Sequence, residues 1–464
     1  MNRLDDTLKK ALRLVEPSRD EEEKVRQIAE EVRRRVEEVS RDERAIRKVE
    51  LGGSYAKGTW LKDDVDIDVF VKFSPDISKK RLEELGVKIG QKALAPHDYA
   101  LRYSEHPYVE GFIDGIRVNV VACYDVKAGL WKSAADRSPY HTLLIKSRFN
   151  DHLKTEARLL KKFLKGVGLY GAEIKIQGLS GYVCEVLILK YSSFKSVLKA
   201  ASSFTEGEVV SIEEVDEETV KKFRTPLIIL DPVDNRRNLG AAISPENAAA
   251  FTLASRMFLQ SPNISFFKVV PIKDRYIQIE GSPLLDNLIL VVFQHKPRTV
   301  DILWGQLKRS EHHLAKQLSK AGFNVLRSSS ASDEVSAGGF IFLFDSQILS
   351  KSQVKIGPKV DMTDDASKFL SSNRARSMMI WVGRDLRIYA LGERRYWRAD
   401  ELLRALLGGV VEGSGVAPGL KSDIKTGFEV FFGEDILKVA GDKEWLIEAL
   451  SRVVVTDKFS FGSS

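Results

Sequence analysis

Two cysteines in 464 residues, Cys123 and Cys184, exclude both a disulfide framework and a cysteine-rich zinc site. Histidine is also sparse. The seven are scattered, and the adjacent pair His312 and His313 falls on a predicted helix, where neighbours point to different sides. No run approaches the roughly 18 consecutive apolar residues that a membrane-spanning helix needs. The first residues, MNRLDDTLKKALRLVEP, carry no apolar stretch. They alternate charge with leucine, as an amphipathic helix does and a leader does not. A cytoplasmic protein with no membrane partner is the expectation. What is present is ordinary for a globular chain: 43% hydrophobic and 30% charged residues. The length suggests about three domains. A net charge of +7 is a mild pull towards polyanions.

Leu4, Leu8, Ala11, Leu12 and Val15 form one helical stripe, ended by Pro17. Ser18 and Glu21 form a capping box for a second helix. A short strand near 46–51 leads into a Gly52-Gly53-Ser54 turn. Residues 65–73 alternate strictly: Val65, Ile67, Val69 and Val71 on one face, Asp66, Asp68 and Phe70 on the other. Residues 78–95 read as a helix, and 99–105 and 107–113 as strands. Asp114-Gly115 is a two-residue hairpin turn. In the strand that follows, Arg117, Asn119 and Val121 share a face. Residues 151–256 read as mainly helical, and later residues as a mixture of strands and helices. Residues 374–398 hold seven arginines interleaved with Trp381, Tyr389, Tyr396 and Trp397. Arginine on phosphates with aromatics on exposed bases is one way to hold RNA ends. A solvated strand pair with core aromatics is the plainer alternative.

The informative segment is Gly53-Ser54, followed after eleven residues by Asp66-Ile67-Asp68. Carboxylates two apart on a strand leave one face roughly 7 Å apart at the backbone. They can converge on a divalent cation. Mg²⁺ prefers such oxygen ligands, and two ions can activate a hydroxyl and neutralise a leaving pyrophosphate. A Gly-Ser turn supplies backbone N–H groups and a hydroxyl for phosphate. An Asp-x-Asp alone often does no more than keep a strand face wet. With the Gly-Ser turn at this spacing, it is the signature of nucleotidyltransferases with a polymerase-β-like palm.

Longer blocks narrow the resemblance. GGSYAKGTWLKDDVDIDVFVKF, SEHPYVEGFIDGIRVNVVACY, ADRSPYH, RLLKKFLKGVGLYGAEIKIQGLSGYVCE, DPVDNRRN and FLSSNRAR resemble the archaeal, class I CCA-adding enzymes. The resemblance implies template-independent addition of C, C and A to the 3′ end of tRNA, using CTP, ATP and Mg²⁺. It implies an α/β and α+β multi-domain chain. The catalytic head, a nucleotidyltransferase palm, would span 1–150 and a helical neck 151–256. The body would span 257–350, continued by 418–464, and a tRNA-gripping tail 351–417. It allows a homodimer. Asp66 and Asp68 match the metal-binding pair. Gly53, Ser54 and Lys57 match the phosphate turn, with lysine where arginine is common. Ser138 and His141 match a polar cluster beside the nucleotide, and Lys161 and Tyr170 the pair that holds the triphosphate. Arg237, with Asn238, matches the group that reads the base. Arg374, Arg376, Arg394, Arg395, Tyr396 and Trp397 fall in the tail that would grip the acceptor stem and T-arm.

One position departs. Where the family expects a third metal-binding carboxylate, this chain has Asn119. Asparagine keeps a carbonyl oxygen and loses the charge. Removal of such a group commonly costs on the order of 10²–10⁴ in rate. The residues leave open whether Asn119 is natural divergence or an introduced change. Asp125 and Asp114 are disfavoured substitutes. Two rival readings follow: a catalytically inactive tRNA-binding protein, and another terminal nucleotidyltransferase such as a poly(A) polymerase.

Overall fold

The computed structural model describes residues 3–62, 64–103, 107–409, 413 and 415–455. They form two compact units, divided between Val270 and Pro271. The expected body residues 456–464, the expected strand positions 104 and 105, and four positions of the expected tail lie outside the described residues.

The first unit begins with α1 (Arg3–Val15) and α2 (Arg19–Ser40), and the Ser18–Glu21 capping box forms as the spacing predicts. Next come β1 (Ile46–Gly52), α3 (Gly53–Lys57), β2 (Asp66–Phe73) and α4 (Lys79–Leu94). They are followed by β3 (Tyr99–Tyr103), β4 (Pro107–Ile113) and β5 (Ile116–Tyr124). The five strands make one sheet in the order β1-β2-β5-β4-β3. The β2–β5 pair is parallel, and the other pairs are antiparallel. Asp114 and Gly115 both take positive φ, 49° and 82°, and close the β4–β5 hairpin between Ile113 and Ile116. Ile67, Val69, Val71, Val118 and Val120 point into a core shared with α2 and α4. The alternation therefore leaves Asp66, Asp68, Arg117 and Asn119 on the opposite face. Phe70, expected on that face, is buried. Its ring lies where a side chain on Gly52 would sit, 2.3 Å from that glycine's notional Cβ.

Beyond the sheet lie α5 (Arg137–Arg148), α6 (Asp151–Gly166), α7 (Gly181–Tyr191) and α8 (Phe194–Ala201). Then follow β6 (Glu208–Val210), α9 (Glu217–Lys221), β7 (Leu227–Asp231), β8 (Asp234–Asn238) and α10 (Pro245–Gln260). This segment is not wholly helical, because β6, β7 and β8 form a small sheet. LIIL is a short, wholly buried run, and periodicity cannot assign such a run to strand or helix. The second core contains Phe163, Phe194, Phe258, Phe266 and Phe267. Leu4, Ala11 and Val15 of α1 belong to it, so the first helix packs with α6 and its neighbours and not with the five-stranded sheet.

The second unit holds α11 (Ile272–Glu280), β9 (Leu288–Gln294), α12 (Val300–Lys320), β10 (Val325–Ser332) and β11 (Ala337–Phe344). It continues with β12 (Ser352–Lys359), α13 (Thr363–Asn373), β13 (Ser377–Val382), β14 (Arg387–Glu393) and α14 (Ala399–Leu407). It ends with α15 (Pro418–Thr426), β15 (Phe428–Phe432), α16 (Glu434–Ala440) and α17 (Glu444–Val454). One sheet runs β10-β11-β9-β15 and a second β12-β14-β13. The second is an insertion between β11 and β15. α14 packs on α12, outside the inserted sheet. Among the described residues, no helix is long and apolar enough to cross a membrane.

Candidate active site

Strand register builds the centre of the site. Asp66 pairs with Arg117, and Asp68 with Asn119, across the parallel β2–β5 ladder. Arg117 Nε donates to Asp66 Oδ1 at 2.7 Å, and Asn119 Nδ2 donates to Asp68 Oδ1 at 2.9 Å. Loss of solvent around the Asp68 carboxyl raises its pKa, against the hydrogen bond from Asn119. Asp66 is raised too, again by burial, with Arg117 opposing. Asn119 Oδ1 is buried with no hydrogen-bond partner. A buried acceptor without a donor is costly, unless something absent from the protein itself satisfies it. The donors here are two carboxylates and an amide oxygen, the set a hard divalent cation takes. Among the described residues no three His, Cys, Asp or Glu side chains gather at one point.

Gly53 opens α3 at φ +61°, beside Asp68. A Cβ there would lie 1.8 Å from Asp68 Oδ2, so only glycine permits this approach. What reads as a turn in the sequence is thus a five-residue helix that carries Ser54 and Lys57 one turn apart.

Lys57 does not reach into open solvent. Its Nζ donates to Glu185 Oε2 at 2.6 Å, and Lys161 Nζ donates to Glu185 Oε1 at 2.8 Å. Lys161 also donates to the backbone and hydroxyl oxygens of Thr59, and the Thr59 hydroxyl donates to Glu185. The three charged side chains are 8%, 2% and 0% exposed. Burial alone would raise the Glu185 pKa, yet the two lysines hold it down to about 2. Burial pushes Lys161 below the usual lysine value, and Lys57 adds to the shift. One anion thus serves two cations, which leaves a net positive charge beneath α3. Tyr170 is bridged to Leu179, and Lys165 Nζ lies 5.1 Å from its ring centroid.

A second cluster lies between α5, α7 and the β7–β8 hairpin. His141 Nε2 and Arg237 Nη1 both meet Asp231 Oδ2, at 2.9 and 3.2 Å, and Tyr182 donates to Asp231 Oδ1 at 3.2 Å. The His141 and Tyr182 rings stack at 3.8 Å, and Lys57 Nζ lies 5.5 Å from the Tyr182 ring. Burial lowers the His141 pKa despite Asp231, while His141 and its neighbours hold the buried Asp231 below its usual value. Ser138 is half-buried one turn before His141 on α5. Asn238 is occupied by the fold: it accepts from the Ile229 and Gly240 N–H groups and donates to Thr225. Nearby, an open cleft of about 550 Å³ is lined by Trp131, Arg137, Asp234, Arg236 and Arg237 among others.

Sequence reasoning missed Arg117, Thr59, Tyr182, Glu185 and Asp231. Glu185 had a signal, as the lone charge inside the apolar run VCEVLIL. So did Arg117, which alternates in phase with Asn119.

In the second unit, Arg374, Arg376 and Arg395 are exposed, and the Arg395 guanidinium lies 5.3 Å from the Tyr396 ring centroid. Lys351 and Arg398 flank the Trp397 ring. Arg394 serves the fold instead, donating to Ala321 O at 3.1 Å and to Gln353. The arginine-rich reading overlooked an apolar sheet face. Val354, Leu391 and Met379 form one cross-strand row and Ile356, Tyr389 and Trp381 the next. Trp381 and Tyr389 are stacked at 5.4 Å.

Three family models match in chain order. They are a nucleotidyltransferase domain over 25–141, the second domain of tRNA nucleotidyltransferase over 155–268, and the C-terminal domain of CCA-adding enzyme over 286–433. The CCA-adding enzyme of Saccharolobus shibatae is 34% identical over 394 residues, which is 85% of this chain and 90% of that protein. That of Sulfurisphaera tokodaii is 36% identical over 85% of this chain and 89% of its own. That of Methanocaldococcus jannaschii is 35% identical over 88% and 91%. Among solved structures, a cytoplasmic RNA terminal U-transferase is similar over 57% of this chain and 99% of its own, with 15% identity and a TM-score of 0.45. On the extent and identity of its curated relatives, this chain belongs to the archaeal CCA-adding enzymes, tRNA nucleotidyltransferases with a nucleotidyltransferase domain over 25–141.

Proposed function

We propose that this chain adds C, C and A in turn to the 3′ end of tRNA, from CTP and ATP and without a template. In each step the terminal 3′-hydroxyl oxygen bonds to the α-phosphorus. The bond between that phosphorus and the oxygen bridging to the β-phosphate breaks, pyrophosphate leaves, and the hydroxyl proton is released. The observation that carries the reading is the pairing of Asp66 and Asp68 with the β5 strand beside the unpartnered Asn119 oxygen. Asp66, Asp68 and Asn119 Oδ1 would hold Mg²⁺. When bound, two such ions would lower the charge on the triphosphate and activate the hydroxyl.

The chain's own residues bind and orient. Ser54 supplies a hydroxyl, and Lys57 and Lys161 supply positive charge from beneath α3 to the triphosphate, with Tyr170 behind them. Arg237, steadied by Asp231, presents its donors to the acceptors of cytosine or adenine. His141 and Ser138 line the approach. Arg374, Arg376, Arg395, Tyr396 and Trp397 contact the acceptor stem and T-arm.

A transcript tRNA lacking its 3′ CCA tests this, incubated with Mg²⁺, CTP and ATP and resolved on a gel. Both this chain and Asn119→Asp are expected to add three nucleotides and stop. The variant should be faster by roughly tenfold or more, because a carboxylate then stands at position 119 itself, directly paired with Asp68. Unlimited tails would assign a terminal polymerase. No extension by either chain, with tRNA still retained, would assign a binding protein.

Gly53→Ala is expected to slow CTP incorporation by about 10²-fold. The new methyl must displace the Asp68 carboxyl, and misplacement by about 1 Å can cost that much. A single-turnover rate within threefold of the parent would contradict this account.

A further inference from the structure

We infer that Glu110, on the strand next to Asn119, supplies the negative charge that Asn119 lacks, as the third carboxylate of the cation site. The inference rests on the proposed metal-binding reading of Asp66 and Asp68.

The register places it. Asp68 pairs with Asn119 across β2–β5, and Asn119 pairs with Glu110 across β5–β4. Residues directly paired on neighbouring strands project from the same face. Asp68, Asn119 and Glu110 are therefore one row across three strands. Two strand spacings separate its ends by roughly 10 Å at the backbone. Glutamate has one methylene more than aspartate; its carboxyl is held by Arg102 and Arg117, apart from the two aspartates, and would have to leave them to share a cation with Asp66 and Asp68.

A cation already spans part of this gap. Arg117 donates to Asp66 at 2.7 Å, and its Nη1 lies 3.9 Å from Glu110 Oε2. One guanidinium thus sits between the carboxyls of Asp66 and Glu110. The other Glu110 oxygen accepts from Arg102 Nε at 2.9 Å. Glu110 is only 9% exposed, whereas Arg117 and Arg102 are 43% and 45% exposed. Ion pairs with such exposed partners are weakened by solvent. Glu110 would exchange these partners for a divalent cation shared with Asp68 and the buried Asn119 oxygen. Both arginines can then swing into water, while Glu110 stays buried on the site's side of the sheet. The face keeps three carboxylates although the residue at 119 is neutral.

The test uses the full chain and Mn²⁺, with free Mn²⁺ read by electron paramagnetic resonance and nucleotide addition measured in parallel. Glu110→Gln is expected to weaken Mn²⁺ binding about tenfold or more and to slow addition about 100-fold. In the Asn119→Asp background the same substitution should cost less than about threefold, because the charge has been restored beside it. Glu110→Asp, which keeps the charge and loses reach, should fall between. If Glu110→Gln does not fold, Glu110→Asp carries the same two-background comparison. Equal losses in both backgrounds would overturn the inference and make Glu110 a brace for Arg102 and Arg117. Unchanged Mn²⁺ binding in Glu110→Gln, with binding lost in Asp68→Asn, would also overturn it and leave the metal reading standing. Unchanged binding in both variants would remove the metal reading itself.

Discussion

Asp68→Asn is expected to cut nucleotide addition by about 10³-fold or more, with CTP affinity changed by less than about fivefold. The substitution is nearly isosteric, so the β2–β5 ladder and the approach of Gly53 survive it. What goes is the charge of the carboxyl that meets Asn119 across the β2–β5 ladder. A factor of 10³ is about 4 kcal/mol of activation free energy. One carboxylate at a metal-assisted phosphoryl centre can supply that much, because it acts in a desolvated site. Lys57 and Lys161 stay anchored on Glu185, so charge for the triphosphate remains. The effect should therefore appear in kcat and not in KM. Single-turnover incorporation of labelled CTP measures the first, and equilibrium CTP binding the second. A rate loss below tenfold would remove Asp68 from the chemistry. A loss confined to CTP affinity would make it a nucleotide-binding residue only.

The head was legible because its signals are local. Strict alternation over Asp66–Phe73, the Asp114-Gly115 turn and the Ser18 capping box each specify a geometry within a few residues. Asn119 could be phased onto the aspartate face from its own strand. Its partner could not, because the parallel ladder with β2 spans 51 residues of sequence and no turn fixes its register. Glu110 was invisible for the same reason, since its relation to Asp68 runs through two ladders. The β7–β8 hairpin was missed because LIIL carries no period. Its turn, Pro232-Val233, lacks the glycine or asparagine that marks a tight hairpin. Lys161 illustrates a different limit. Its helix position reads as a surface lysine, and only the fold brings Glu185 to it.

The largest stability effect is expected at Glu185. Glu185→Ala should lower the free energy of unfolding by about 3–5 kcal/mol, the usual cost of leaving buried charges without their partner. The residue is 0% exposed and is the common acceptor for Lys57, Lys161 and Thr59. Removing it strands two ammonium groups that now repel each other. Neither can turn to water without unpacking α3 or α6. The pH dependence has a definite sign. The folded pKa is depressed to about 2 from an ordinary value of 4.5. The stabilisation is therefore fully present above about pH 4.5 and is lost as pH falls towards 2, with the unfolded state taking the proton first. Urea unfolding at pH 7 and at pH 3 reads both effects. The difference between parent and variant should be large at pH 7 and smaller at pH 3. Lys161→Met in the Glu185→Ala background should recover 1 kcal/mol or more, because it deletes one stranded charge and keeps an apolar stem of similar length. A difference below about 1 kcal/mol at pH 7, or no recovery in the double variant, would mean that water reaches the two lysines and that the cluster beneath α3 is not held by Glu185.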